Sequence, residues 1–385
     1  MSSESANEKR PLLLKQRHPK RSKHVLVIHG GAGTILRERS SPEDLARFHD
    51  GLRAALGVGN AILSSGGEAM DAVVAAVSVM EDNPIFNAGK GAVFNSAGFN
   101  ELEASLALSR PPASHPDVPP SRHALALTLL THTRNPSQLA RTLYLSPDKT
   151  RHAFLSGAPA EDLGGLPPVH PSYFYTSARW REHRRGLGLP EDDAPPGKEE
   201  GAIAGGKDDD DDDDDDDEVL LDMMPLGTVG AVALDGRGCI AVCTSTGGRT
   251  NKLPGRVGDT PHNGAGFWAE EWQAPRGRWL RWLPHPWPGK VHAVGVSGTG
   301  DGDAFIRQNT AATLAHRMQY LNEPVQKAAR SVVEALLREG GVGGVIALDN
   351  HGNVATPLNC PGMYRGLVRE DGVLKTAIFE DEVLE

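Results

Sequence analysis

Ten consecutive aspartates, residues 208–217, set the first limit on what this chain can fold into. Carboxylates so crowded repel one another and bury no apolar surface, so no core helix or strand runs through them. The tract sits in a wider acidic stretch. Residues 191–222 carry 17 Asp and Glu against two bases, Lys198 and Lys207, a net charge of -15. The whole 385-residue chain is only -10, so everything outside that stretch is net positive. The acidity therefore belongs to one segment and says little about a substrate. The expected division is a disordered basic tail over 1–23, a foldable stretch over 24–156, a mostly disordered linker over 157–226 and a second foldable stretch over 227–385. Two domains, or two parts of one large domain, both fit this length.

No apolar run approaches the ~18 residues of a membrane-spanning helix. Cys239, Cys243 and Cys360 are too few for a disulfide framework, and the apolar setting of the first two reads as buried thiols. The N-terminal residues lack the apolar core of a signal peptide, and Asn135-Pro136-Ser137 is blocked as a glycosylation acceptor by its proline. A cytoplasmic location is expected. The basic run over residues 15–23 reads as a solubilising tail, with a nuclear signal or a nucleic-acid arm as the alternatives. Neither nucleic acid nor a membrane is expected as a partner.

Residues 24–29 (His-Val-Leu-Val-Ile-His) read as a buried strand running into the turn Gly30-Gly31-Ala32-Gly33. Ser41-Pro42-Glu43-Asp44 opens a helix with a serine cap, a first-turn proline and acids at the positive dipole end. That helix is expected to run to about Ser64, and a second from Glu68 to about Glu81. Short strands are expected near 91–95, 101–108 and 123–130, and a helix over 136–145. Beyond the linker, 227–235 and 239–245 read as a hairpin around Gly236-Arg237-Gly238. Helices near 303–320 and 324–338 and strands near 344–349 and 353–356 complete the chain. Strands with a helix pair in each half imply an α+β fold, with sheets packed centrally and helices outside.

The glycine turn is no dinucleotide fingerprint. A fingerprint from Gly31 and Gly33 needs a glycine at 36, where Leu36 stands, and no GxxxxGK[ST] exists. Attention moves to the junction of Gly227 and Thr228, where the acidic stretch meets a strand. Read alone, Thr228 is a β-branched residue opening that strand. If the bond before it were cut, however, Thr228 would own a free α-amine, a group that titrates at about 7.7–8.0 and can serve as general base. Its hydroxyl would then be a nucleophile activated by its own residue. Gly227 suits the strained geometry such a bond requires.

Other segments stay ambiguous from the residues alone. Arg256 and Asp259 are ordinary loop residues, or a guanidinium fork and a carboxylate matched to an amino-acid head group. Ser297-Gly298-Thr299-Gly300 is a glycine-rich turn, and Asp301-Gly302-Asp303 starts like a calcium loop whose remainder is missing. An insertion over 268–290 crowds Trp268, Trp272, Trp279, Trp282 and Trp287 with Arg276, Arg278 and Arg281. That is either a lid or partner surface, or local packing.

Several runs together resolve the ambiguity: HGGAGT, EDNPIFNAGKGAVFN, GTVGAVALD, TSTGGRTNKLPGRVGDTP and SGTGDGDAFIR. In this order they resemble the plant-type L-asparaginase / isoaspartyl peptidase family over roughly residues 24–145 and 226–366. The resemblance implies an N-terminal-nucleophile hydrolase with an αββα sandwich, cleaved between Gly227 and Thr228 into α and β chains of one domain. It implies Thr228 as nucleophile and base, with Thr246 tuning its hydroxyl and Asn87 as an oxyanion donor. Arg256, Val257, Gly258 and Asp259 would hold the substrate's head group. Ser297, Gly298, Thr299 and Gly300 would match the family's TGTG, with Ser297 in place of its first threonine, its hydroxyl and the next backbone amide stabilising the oxyanion. It implies no required cofactor, a structural Na⁺ on the backbone carbonyls of Met80, Glu81, Asn83, Phe86, Ala88 and Lys90, and a dimer of αβ units. The implied reaction is hydrolysis of the L-asparagine side-chain amide, of isoaspartyl dipeptides, or both. A taspase-like endopeptidase on the same fold and an inactive amidase-fold scaffold are the rivals. Asp259 argues against the first, because an internal peptide residue has no ammonium for it.

Overall fold

The computed structural model describes residues 24–191, 227–273 and 290–384. The first half runs β1 (Val25–Gly33), α1 (Pro42–Ser64), α2 (Ala69–Asp82), β2 (Leu102–Leu108), β3 (Ala124–Leu130), α3 (Pro136–Tyr144), β4 (Phe154–Ser156), α4 (Gly157–Gly164) and α5 (Ser177–Gly186). The second runs β5 (Val229–Leu234), β6 (Ile240–Thr246), β7 (Phe267–Gln273), β8 (Val291–Gly300), α6 (Gly302–Gln308), α7 (Thr310–Leu321), α8 (Val325–Arg338), β9 (Gly343–Asp349), β10 (Val354–Ala355), β11 (Gly362–Arg369) and β12 (Lys375–Phe379). This is an α+β fold.

Eight strands form one sheet in the order β12-β11-β1-β5-β6-β2-β3-β4, and four form another in the order β10-β9-β8-β7. Strand alternation sorts side chains onto two faces. In β1, Leu26 and Ile28 join a cluster with α1, α2 and α3, while Val25 and Val27 join Ile346 and Leu348 of β9 on the opposite face. In the small sheet, Val345 and Ala347 point the other way, into a cluster with α7 and α8. Both sheets are thus buried on two faces, which explains their near-continuous apolar runs.

The two sheets approach closely at Gly295 in β8. A Cβ there would lie 2.5 Å from Ile240 Cγ2 and 2.7 Å from Val232 Cγ1. Gly295→Ala is expected to overpack this layer and cost about 1–3 kcal/mol, read from urea midpoints.

The expected helix cap holds: Ser41 Oγ accepts from the Asp44 amide at 3.0 Å. Other expectations change. The strand expected near 91–95 is a loop after a 3-10 turn, Gly89–Gly91. The helix expected over 303–320 is two helices, broken where Asn309 adopts φ 50. Residues 157–186, expected in the linker, hold α4, α5 and their connection, because Ala160, Phe174 and Trp180 find burial. The basic tail, the aspartate tract and residues 274–289 lie outside the described residues. Trp268 and Trp272 are on β7, half-buried against the α7–α8 cluster. Cys239, Cys243 and Cys360 are free and buried. Among the described residues no helix is long and apolar enough to cross a membrane.

Candidate active site

The ends of β1, β5, β6 and β8 surround a cavity of about 390 Å³, walled also by Glu103, Arg249, Arg256, Gly258 and Asp259. Thr228 lies in its wall and is nearly buried. β5 and β6 pair with Val229 opposite Ser245, and one residue further this register sets Thr228 opposite Thr246. Thr246 shares the wall, and its Oγ1 accepts from the Gly248 amide at 2.9 Å.

Both backbone groups of Thr228 are held. Its nitrogen donates to Thr299 Oγ1 at 3.1 Å, and its carbonyl lies 2.8 Å from His29 Nδ1. A carbonyl only accepts, so Nδ1 carries the ring proton. His29 Nε2, 2.7 Å from Ser297 Oγ, then accepts from that hydroxyl, and Ser297 accepts in turn from Thr244 Oγ1 at 2.9 Å. The chain of donors runs one way, ending on the Thr228 carbonyl. It packs so tightly that a Cβ on Gly230 would lie 2.2 Å from Ser297 Oγ.

Burial pushes the His29 pKa down to about 3, outweighing the opposing hydrogen bond to Thr228. The unfolded chain therefore takes up a proton that the folded chain refuses. This stability is complete above pH ~6.5 and is lost as pH falls toward 3, by up to about 1.4 kcal/mol per pH unit. His29→Gln is expected to lose stability at pH 7 but to show a shallower acid decline, measured by urea midpoints between pH 7 and 5.

Across the cavity, Arg256 Nη2 donates to Asp303 Oδ1 at 3.0 Å. Asp259 is buried and its Oδ2 has no partner. Burial, and then the neighbouring Glu103 charge, push its carboxyl up to about 7.

Not every expected site residue reaches the cavity. Ser297 is committed to His29 and Thr244, and the Gly298 amide donates to Gly266 O at 2.7 Å, so neither donates into it. Thr299 meets Thr228, and Gly300, Asp301 and Gly302 line the wall. The T-G-x-G pattern thus fits residues 299–302, two positions later than the expected match, with Asp301 as the departure. Val257 is half-buried between Arg256 and Gly258 without lining the cavity. Asn87 Nδ2 donates to Gly248 O at 2.7 Å, and its Oδ1 accepts from the Val93 amide at 3.1 Å. It holds the Gly247-Gly248 turn from behind rather than facing the cavity.

Comparison with known proteins decides the family. The family model described as asparaginase matches residues 22–274 and 290–378. The chain belongs to the asparaginase family. Its relatives include the isoaspartyl peptidase of Escherichia coli, 35% identical over 94% of this chain and 97% of that protein. The isoaspartyl peptidase of Salmonella typhimurium is also 35% identical, over 89% and 95%. The isoaspartyl peptidase/L-asparaginase of Danio rerio is 33% identical over 86% and 87%.

Within this asparaginase-family site, three buried groups escaped the sequence reading. His29 looked like the end of an apolar strand. Lys252 donates to Glu101 O and Gly247 O at 2.6 and 3.0 Å, tying the 247–252 loop to the strand opposite. Glu103 sat inside the apolar run Leu-Glu-Ala-Ser-Leu, where a lone acid in a buried strand was the available signal. At the loop after α2, Gly89 and Gly91 make room for backbone oxygens. Cβ atoms there would lie 2.3 Å from Glu81 O and 2.1 Å from Phe86 O.

Proposed function

We propose that this chain is a self-processing threonine amidohydrolase acting on the side-chain amide of L-asparagine, on the β-aspartyl bond of isoaspartyl dipeptides, or on both. The observation that carries the reading is the place of Thr228: first before β5, in the cavity wall, its nitrogen on Thr299 Oγ1 and the Arg256–Asp259 pair in the same cavity. The relatives' names support the same substrates.

Gly227 presses on the glycine turn; a Cβ there would lie 2.4 Å from Gly31 Cα. In this reading the Thr228 hydroxyl attacks the Gly227 carbonyl carbon, the acyl group passes from nitrogen to oxygen, and water opens the ester. The products are an α chain, 1–227, and a β chain, 228–385. The freed amine then takes the hydroxyl proton as Thr228 attacks the substrate's amide carbon. Ammonia or an amino acid leaves with that proton, and water releases aspartate from the enzyme. Thr246 tunes the nucleophile. Arg256 holds the α-carboxylate as a fork and Asp259 the α-ammonium. The Thr299 hydroxyl and the Gly300 amide are the oxyanion donors, in place of Ser297 and Gly298.

Every reacting group in this scheme belongs to the chain or to water, so it calls for no cofactor. The carbonyls of Met80, Glu81, Asn83, Phe86, Ala88 and Lys90 fit a structural Na⁺. The helix, sheet, sheet, helix layering supports the αββα sandwich of N-terminal-nucleophile hydrolases, with 24–156 and 227–385 as one domain. A dimer of αβ units in the cytoplasm completes the proposal; three buried free thiols accord with a reducing compartment. Neither rival gains support, since Thr228, Thr246, Arg256 and Asp259 all wall one cavity. Steady-state kinetics on L-asparagine and β-aspartyl-leucine side by side test the reading. Turnover of at least one is expected, and turnover of neither by the cleaved enzyme would refute it.

A further inference from the structure

We propose that Glu103 is a specificity-determining residue of this site: with Asp259 it supplies the negative charge that selects substrates carrying an α-ammonium. The inference rests on the functional reading above and adds a residue to it.

Glu103 reaches the site through the sheet. β2 pairs with β6 so that Glu103 lies opposite Thr246, the residue that faces Thr228. Its side chain is buried, and its two oxygens have different fates. Oε1 accepts from the Gly258 amide at 2.8 Å and from Thr128 Oγ1 at 3.2 Å. Oε2 has no partner, although it too is buried. A Cβ on Gly258 would lie 2.9 Å from Arg256 Nη1 and 3.0 Å from Glu103 Oε2, so guanidinium and carboxylate flank the same gap at the cavity wall.

The Lys252 and Arg256 charges favour the ionised carboxylate, but neither side chain donates to Oε2. Arg256 directs Nη2 to Asp303, and Lys252 directs its ammonium to two backbone carbonyls. Asp259 Oδ2 is likewise buried without a partner. Two carboxylate oxygens without donors therefore belong to residues of one cavity wall, which also carries Arg256 and Arg249. Leaving buried charged groups unmatched is costly, and an ammonium brings both three donors and a further positive charge. Burial raises the pKa of both carboxyl groups, so the empty cavity resists their full ionisation and an arriving ammonium restores it. Arg256 is left for the substrate's carboxylate. Glu103 acts partly through the loop it pins and partly through its field, so it is a positioning residue rather than a catalytic one.

The test is a ratio. The cleaved enzyme is assayed for kcat/KM on L-asparagine and on succinamate, which is the same amide with hydrogen in place of the α-ammonium. If only dipeptides are turned over, β-aspartyl-leucine and N-succinyl-leucine form the pair. E103Q keeps an acceptor for the Gly258 amide and removes the charge. It is expected to reduce the preference for the ammonium-bearing substrate at least tenfold, mainly through KM, while changing the other substrate less than threefold. E103D, with its charge drawn back by one methylene, is expected to reduce the preference about threefold. Equal losses on both substrates, or an unmoved ratio, would overturn the proposal. If E103Q does not mature, E103D decides alone, and an unchanged ratio rejects the assignment. A wild-type enzyme inactive on every pair would instead be the failure of the functional reading, and this proposal would fall with it.

Discussion

Replacing Thr228 with alanine is expected to leave a single uncut chain with kcat lowered by about 10⁴-fold or more on any β-aspartyl amide. The size follows from the double duty of one residue. In the proposed scheme its hydroxyl is the nucleophile for both the self-cleavage and the turnover, and its amine exists as a base only after the bond before it is gone. Alanine removes the hydroxyl and so also prevents the amine from being freed. Thr228→Ser keeps the hydroxyl but loses the methyl group that fixes χ1 in this packed wall, so slower cleavage and reduced but measurable turnover are expected. Ammonia release and chain cleavage, followed on the same samples, check both variants. Full activity in Thr228→Ala would place the nucleophile elsewhere.

The second large effect is expected at the head-group clamp. Asp259→Asn should raise KM for L-asparagine by about 10²-fold or more, because an ammonium loses its buried counter-charge. Arg256→Lys keeps the charge but not the two-pronged fork, and a loss of about 10²-fold in kcat/KM is expected. The clamp also gives a pH signature. Burial and the Glu103 charge push the Asp259 carboxyl up to about 7, so below that value the free enzyme carries it protonated. The acid limb of kcat/KM, which reports the free enzyme, should fall through this region. The freed Thr228 amine must also be neutral to act as base, and its deprotonation adds to the same limb. In Asp259→Asn the limb should lose the Asp259 contribution and keep those of the amine and of Glu103, whose pKa burial also raises.

Much of the fold could be read from the residues, for local reasons. The serine cap and first-turn proline of α1 are decided within four residues, and the hairpin of β5 and β6 by strand alternation around Gly236-Arg237-Gly238. What could not be read depends on distant partners. β8 contains Gly295, Gly298 and Gly300, a composition that suggests a turn, yet those glycines let the sheets and the neighbouring backbone come together. α5 looked like part of a charged linker because its reason for folding is elsewhere. Buried Arg179 donates to Gly91 O at 2.8 Å, and Asn251 Nδ2 donates to His183 O at 3.1 Å.

The site divides in the same way. Thr228, Thr246, Arg256 and Asp259, to which the resemblance gave roles, line one cavity. The proposed oxyanion donors lie two residues beyond the expected pair, and the strand period explains how. Ser297 and Thr299 point to the same side of β8, one pleat repeat or about 6.6 Å apart. Ser297 therefore meets His29 while Thr299 meets the Thr228 nitrogen. A motif match alone carries no information about which hydroxyl meets Thr228.

Denaturing electrophoresis of the purified wild-type protein, with the N-terminus of the shorter fragment sequenced, tests the threonine assignment most directly. Two fragments are predicted, residues 1–227 and 228–385, the second beginning at Thr228 and neither appearing in Thr228→Ala. A single intact chain that turns over L-asparagine or a β-aspartyl dipeptide at full rate would contradict it.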